Sequence, residues 1–182
     1  MNAPQQIQVD DLVFEVLISA EELQNRIKAI AASISRDYAG KVPIMVGVLN
    51  GAALLLSDLI RYLDIDCEID FIKISSYGNQ RVSSGEITMI KDFSADLHGR
   101  DIIIVEDIVD SGLSVQYLKR RIKNMKPASL KVVSLLTKKE AFKVDLTIDY
   151  VGFEIDNRFV IGYGLDYKQV KRNVNAIYQL VE

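Results

Sequence analysis

Glu106, Asp107 and Asp110 stand almost side by side, ahead of Ser111, Gly112 and Ser114 and after the apolar run Ile102-Ile103-Ile104-Val105. Carboxylates can accept hydrogen bonds from sugar hydroxyls or hold a divalent cation. Hydroxyls and main-chain amides around a glycine can grip a phosphate. The β-branched run suits a strand buried on both faces, as in a parallel sheet covered by helices, and residues 115–125 read as the helix that follows. The acids then sit at the carboxyl end of a strand, the edge where open α/β sheets bind ligands. Asp110-Ser111-Gly112-Leu113-Ser114 becomes the turn into a helix N-terminus, whose free N–H groups favour phosphate. Glu106 and Asp107 would repel a phosphate, and their hard oxygens suit sugar hydroxyls or Mg²⁺. A blander alternative is a solvated turn in which Asp110 or Ser114 merely caps the helix. One such residue would suffice for a cap, whereas here acids and hydroxyls converge within nine positions.

The elements that must position these groups follow from periodicity. Ser19-Ala20-Glu21-Glu22 has the capping-box spacing, and Leu23, Ile27, Ile30 and Ile34 recur at helical intervals behind it. Residues 43–49 read as a buried strand, Asn50-Gly51 as a turn and residues 52–63 as a helix. Residues 65–74, 101–107, 131–136 and 150–153 are further strands. Strands alternating with helices imply an α/β domain with a parallel sheet. Residues 75–86 are rich in glycine and serine. Their length fits either a mobile lid between two strands or a long hairpin connection.

Composition narrows the class. With 182 residues, 49% hydrophobic, three prolines and no low-complexity stretch, residues 1–182 are expected to form a single domain. A net charge of -3 gives no electrostatic reason to bind nucleic acid, and Lys119-Arg120-Arg121 reads as a solvated helix face. The single cysteine, Cys67, allows neither an internal disulfide nor a cysteine-based zinc site and suits a reducing compartment; it is expected in or near the core. The lone histidine, His98, falls in a polar turn. The first residues lack a signal-peptide layout and no apolar run approaches ~20 residues, so a cytoplasmic protein without membrane contact is expected.

The order acid, acid, two apolar residues, Asp-Ser-Gly, one residue, Ser after a buried strand resembles the phosphoribosyl pyrophosphate (PRPP) signature of type I phosphoribosyltransferases. Val48-Leu49-Asn50-Gly51, Ser75-Ser76-Tyr77-Gly78, Val151-Gly152-Phe153-Glu154-Ile155 and the stretch from Phe159 to Tyr167 are similar to the hypoxanthine-guanine branch, and the likeness runs in order over residues 44–172. It implies an α/β fold with a central, mostly parallel sheet flanked by helices, and a small hood formed by N- and C-terminal segments. The implied reaction is attack of a purine ring nitrogen on PRPP, releasing pyrophosphate bound to Mg²⁺. It also tips residues 75–86 towards the lid, with Ser76 and Tyr77 as its serine-tyrosine pair.

The resemblance implies roles residue by residue. Asp110 matches the general base towards the purine, and the backbone of Ile108, Val109, Asp110, Ser111, Gly112, Leu113 and Ser114 lines the place of the 5′-phosphate, with Ile108 also facing the purine. Glu106 and Asp107 match acids that meet the ribose hydroxyls directly or through Mg²⁺. Asp166 matches the acid that supports a second Mg²⁺ and lies near the purine. Lys138 matches the lysine on the exocyclic oxygen of a 6-oxopurine, although Lys138-Lys139 by itself reads as surface. Phe159 matches the stacking aromatic, Val160 a backbone contact to the base edge, and Arg172 the pyrophosphate arginine. In the turn Leu49-Asn50-Gly51, many relatives carry lysine where Asn50 stands, which leaves the N–H groups of Asn50 and Gly51 for pyrophosphate. The family's cis peptide is expected at Leu49-Asn50.

PRPP and 6-oxopurines are therefore the expected partners, with a homodimer or homotetramer as the expected assembly. A xanthine- or adenine-preferring phosphoribosyltransferase is one alternative. A nucleotide-sensing regulator on the same fold is another, opposed by the acidic balance and the intact Asp110.

Overall fold

Ser19 opens the first helix as its spacing requires. Its hydroxyl accepts from the Glu22 N–H at 3.3 Å, while the Glu22 carboxylate accepts the Ser19 N–H at 2.9 Å. Helix α1, Ala20–Asp37, buries Leu23, Ile27, Ile30, Ala31 and Ile34 along one stripe. This computed structural model describes residues 4–76 and 87–181 of the chain. Around α1 the chain order is β1 (Gln6–Val9), β2 (Leu12–Ile18), α1, β3 (Ile44–Leu49), α2 (Ala53–Tyr62), β4 (Glu68–Ser76), β5 (Ile87–Lys91) and β6 (Asp101–Val109). It continues with α3 (Leu113–Asn124), β7 (Ser129–Thr137), β8 (Tyr150–Glu154), β9 (Val160–Ile161) and β10 (Ile177–Leu180).

The central sheet has the order β5-β4-β3-β6-β7-β8 and is parallel except for the antiparallel β4/β5 pair. Both faces of the sheet are covered, which explains why β3 and residues 102–105 of β6 are apolar on both sides. Met45, Ile103 and Val105 join α1 and α2 in one core layer, whereas Ile44, Val46, Ile102 and Ile104 face Val115, Leu118 and Ile122 of α3. The N- and C-terminal segments form a second sheet, β1-β2-β10-β9, over a small core containing Phe14, Ile161 and Tyr178. That sheet is the hood implied by the resemblance.

Several boundaries differ from the sequence reading. β6 runs two residues past Asp107, because the ladder to β7 continues through Ile108↔Leu136 and Val109↔Thr137. β3 pairs with β6 only as far as Gly47↔Val105, so residues 106–109 keep one neighbour, and the space opposite becomes the site. β4 starts at Glu68 rather than residue 65. Leu49-Asn50 is cis, as the family pattern implies. Ser76 ends β4, while Tyr77 and the rest of the lid segment to residue 86 lie outside the described residues. Cys67 is half-buried and His98 exposed. Lys119-Arg120-Arg121 is only partly a solvated face, since Arg121 pairs with Asp92.

Candidate active site

Among the described residues no side chain caps α3. Its N-cap is Gly112 at φ 78°, and neither Asp110 nor Ser114 accepts a capping hydrogen bond. The Ser111 hydroxyl meets the Leu113 N–H only at 3.5 Å. The simple capping alternative is thereby removed, and the first N–H groups of α3 face a cavity of about 280 Å³. Glu106, Ile108, Val109, Asp110, Ser111, Gly112, Leu113 and Ser114 line it, with Ile87 and Val115. The segment after β7 braces this turn: the Lys143 N–H donates to the Ser111 carbonyl at 3.0 Å, and Val144 and Leu146 pack where a Gly112 side chain would stand. Sequence reading missed that brace, because residues 143–146 carry no motif of their own.

Lys138 sits immediately beyond β7 and is 8% exposed, buried where the pair Lys138-Lys139 alone would read as surface. Its ammonium meets the Asp110 carboxylate at 2.8 Å, and its N–H donates to the Val109 carbonyl at 3.0 Å. The expected base and the expected purine lysine thus touch at the cavity's edge.

Glu106 is 6% exposed, and burial, then the charge of Asp107, pushes its carboxyl well above the ordinary range. Burial likewise pushes Asp107 up to about 6. The N–H groups of Ile108 and of Asp107 itself and the Arg172 charge pull it down, and Asp110 adds to the rise. Among the described residues no lysine or arginine forms an ion pair with either acid. Two adjacent carboxylates, Glu106 buried and Asp107 half-buried, with no ion-pair partner among the described residues are a donor set that fits a hard divalent cation. Asp107 also presses on the Asn50-Gly51 turn: a Cβ at Gly51 would lie 1.5 Å from its Oδ2.

The remaining expected site residues belong to the hood side. Asp166 pairs with Arg172 at 2.6 Å and accepts from the Gln169 N–H at 2.7 Å. It does not join Glu106 and Asp107 in a three-carboxylate cluster, and no such cluster occurs among the described residues. Arg172 also donates to the Gly164 carbonyl at 2.7 Å. Gly164 lies so close to the Asn50-Gly51 turn that a Cβ there would be 2.1 Å from the Gly51 carbonyl oxygen. Phe159 is 45% exposed, with its ring centroid 6.1 Å from those of Phe14 and Tyr167; Val160 is buried in β9. Phe159, Val160, Asp166 and Arg172 stand outside the walls of the cavity itself.

This arrangement can hold a sugar phosphate on main-chain amides and a cation on two acids. A family model for the phosphoribosyl transferase domain matches residues 19–168. Among curated proteins, the chain is similar to the hypoxanthine-guanine phosphoribosyltransferase of Bacillus subtilis (strain 168), 46% identical over 163 residues that cover 90% of this chain and 91% of the relative. It is 42% identical to that of Mycobacterium tuberculosis (strain CDC 1551 / Oshkosh), covering 89% and 83%. Among solved structures, a hypoxanthine-guanine phosphoribosyltransferase from Bacillus anthracis matches with a TM-score of 0.88 at 43% identity, covering 92% of this chain and 98% of that one. A hypoxanthine phosphoribosyltransferase from Staphylococcus aureus matches with a TM-score of 0.88 at 39% identity, covering 92% and 91%.

Proposed function

We infer the function from one premise, that the chain belongs to the phosphoribosyl transferase family. It transfers the 5-phosphoribosyl group of PRPP to hypoxanthine or guanine, a purine-salvage reaction that yields the nucleoside 5′-monophosphate and pyrophosphate. The observation that carries this reading is the Asp110-Lys138 pair, 2.8 Å apart, beside the uncapped N-terminus of α3.

As the bond from C1′ to the pyrophosphate oxygen breaks and a purine ring nitrogen bonds to C1′, the ring must lose a proton. Asp110 accepts it as general base, and Lys138 donates to the 6-oxo group. An ammonium offers only donors, so the 6-amino group of adenine would set donor against donor and forfeit that hydrogen bond. The backbone of residues 108–114 and the hydroxyls of Ser111 and Ser114 hold the 5′-phosphate, while the amides of Asn50 and Gly51 and the guanidinium of Arg172 hold the pyrophosphate. Phe159 stacks on the base and Val160 meets its edge. Ser76 and Tyr77 belong to a lid that excludes water. Mg²⁺ fits Glu106 and Asp107, with Asp166 supporting a second ion, and when bound it neutralises charge on the departing group.

Residues 1–182 act as one domain in this reading, and the protein is a cytoplasmic homodimer or homotetramer. Its mass by light scattering tests the assembly. No helix among the described residues is long and apolar enough to cross a membrane.

The deciding assay mixes the protein with PRPP, Mg²⁺ and each of hypoxanthine, guanine, xanthine and adenine. Nucleotide should form with the first two, and Asp110→Asn should lower kcat by at least about 100-fold with PRPP affinity largely kept. Full turnover in Asp110→Asn would take the base role from Asp110. Product from xanthine or adenine alone would reassign the substrate. A lack of product from any purine, joined to nucleic-acid binding that weakens steeply with salt, would favour a regulator.

A further inference from the structure

Helix α2 starts just beyond the Asn50-Gly51 turn and carries Asp58 in its second turn. The Asp58 carboxylate accepts from the Tyr163 hydroxyl at 2.5 Å and from the Gln24 side-chain amide of α1 at 2.8 Å. Tyr163 is 5% exposed and lies at φ 46° between Gly162 at 99° and Gly164 at 100°. Lys168, Gln169 and Lys171 downstream also have positive φ. A strap with so many left-handed residues, several of them not glycine, does not adopt its shape from local preference: its own main-chain bonds, among them the Gly164 N–H to the Arg172 carbonyl at 2.9 Å, fold it on itself, and contacts from outside must seat it against the rest of the chain. The same strap carries Asp166 and Arg172, and its Gly164 touches both the Gly51 carbonyl and the Arg172 guanidinium.

We propose that Tyr163 is a positioning residue whose hydroxyl, bound to Asp58, clamps the 162–172 strap to α2 and thereby sets Arg172 and Asp166 in register with the Asn50-Gly51 turn. Helix α2 is the common rigid body, carrying the turn at its start and the clamp's acceptor one turn on. Burial, then the hydrogen bond to Asp58, holds the Tyr163 hydroxyl far above its usual pKa, so it remains a donor at every working pH. The inference rests on the phosphoribosyl transfer reading, because the groups it positions are those assigned to pyrophosphate and metal. It predicts an effect on PRPP rather than on the purine.

The test uses the full chain and three variants. Tyr163→Phe, which removes one oxygen, should raise KM for PRPP by about tenfold, leave KM for hypoxanthine within about twofold, and shift Tm by no more than a few degrees. Asp58→Ala should behave the same way. Asp58→Asn, which keeps an acceptor for the tyrosine, should restore KM for PRPP to near the wild-type value. An unchanged KM for PRPP in Tyr163→Phe overturns the clamp. So does an equal rise for both substrates with a large fall in Tm, or an Asn variant as impaired as Ala. Calorimetric binding of PRPP with Mg²⁺ provides a readout that needs no turnover. A wild type that binds PRPP without forming nucleotide would therefore defeat the functional reading and still test the clamp.

Discussion

Lys138 and Asp110 form an unequal pair, with side chains 10% and 56% exposed. Removing the lysine leaves an aspartate that water can solvate, whereas removing the aspartate leaves a buried ammonium with no carboxylate against it. Lys138→Met should therefore fold with a stability close to wild type, while Asp110→Ala should lose roughly 1–2 kcal/mol, a difference that urea titration of the two variants would resolve. In catalysis both residues should matter. Lys138→Met should lower kcat/KM for hypoxanthine by about 100-fold or more while leaving that for adenine nearly unaltered, as steady-state kinetics on both purines would reveal. Equal losses on the two bases would remove the 6-oxo contact from Lys138. The place of Asp110 in a strand-end turn could be read from its neighbours in the chain, but its expected role as base, like the expected purine contact of Lys138, came only from the resemblance. The burial of Lys138 could not be read at all, because it comes from the parallel register of β7 against β6 and β8.

Elements that bury their own neighbours in sequence were readable from periodicity. The capping box of α1 and the apolar runs of β3 and β6 are of that kind. The hood strands are not: β9 has two residues, and β2 finds its partner β10 at the opposite end of the chain, so only the resemblance implied their sheet. The antiparallel edge strand β5 is similarly fixed by a distant group, the buried Asp70 of β4. Burial raises the Asp70 carboxyl, but the N–H groups of Ala95, Phe71 and Ser94 and the Lys91 ammonium outweigh it and leave the group below its ordinary range. A depressed folded-state pKa contributes stability above the unfolded value, near 4, and loses it as pH falls through the folded value. Asp70→Asn should accordingly cost about 1–3 kcal/mol at pH 7, and the gap to wild type should close as pH drops below about 4. Thermal melts across that range give the comparison; a gap that stays constant with pH would mean that the amides bind Asp70 without regard to its charge.

At the scale of the molecule, the proposed site lies on a seam. The central sheet supplies Glu106, Asp107, Asp110 and Lys138, the strap next to the hood supplies Asp166 and Arg172, and the two meet where Gly164 rests on Gly51. A ligand that bridges the seam binds the folded chain alone, so it must stabilise the whole fold. PRPP with Mg²⁺ at 100 times its dissociation constant adds about 2.7 kcal/mol, which for a chain of this size corresponds to roughly 5–10 °C in Tm. The acid pair gives this prediction a second arm. Without a cation, the carboxyls of Glu106 and Asp107 have no ion-pair partner among the described residues, and burial has raised both. Replacing them in Glu106→Gln with Asp107→Asn should raise Tm of the metal-free protein at pH 8, because the charged forms that burial disfavours are gone. The same double variant should lose most of the shift caused by PRPP and Mg²⁺. Differential scanning fluorimetry with and without EDTA measures both effects. A variant that is less stable without ligand, or one that keeps the full shift, would show that the two acids serve the architecture of the strand end rather than a cation.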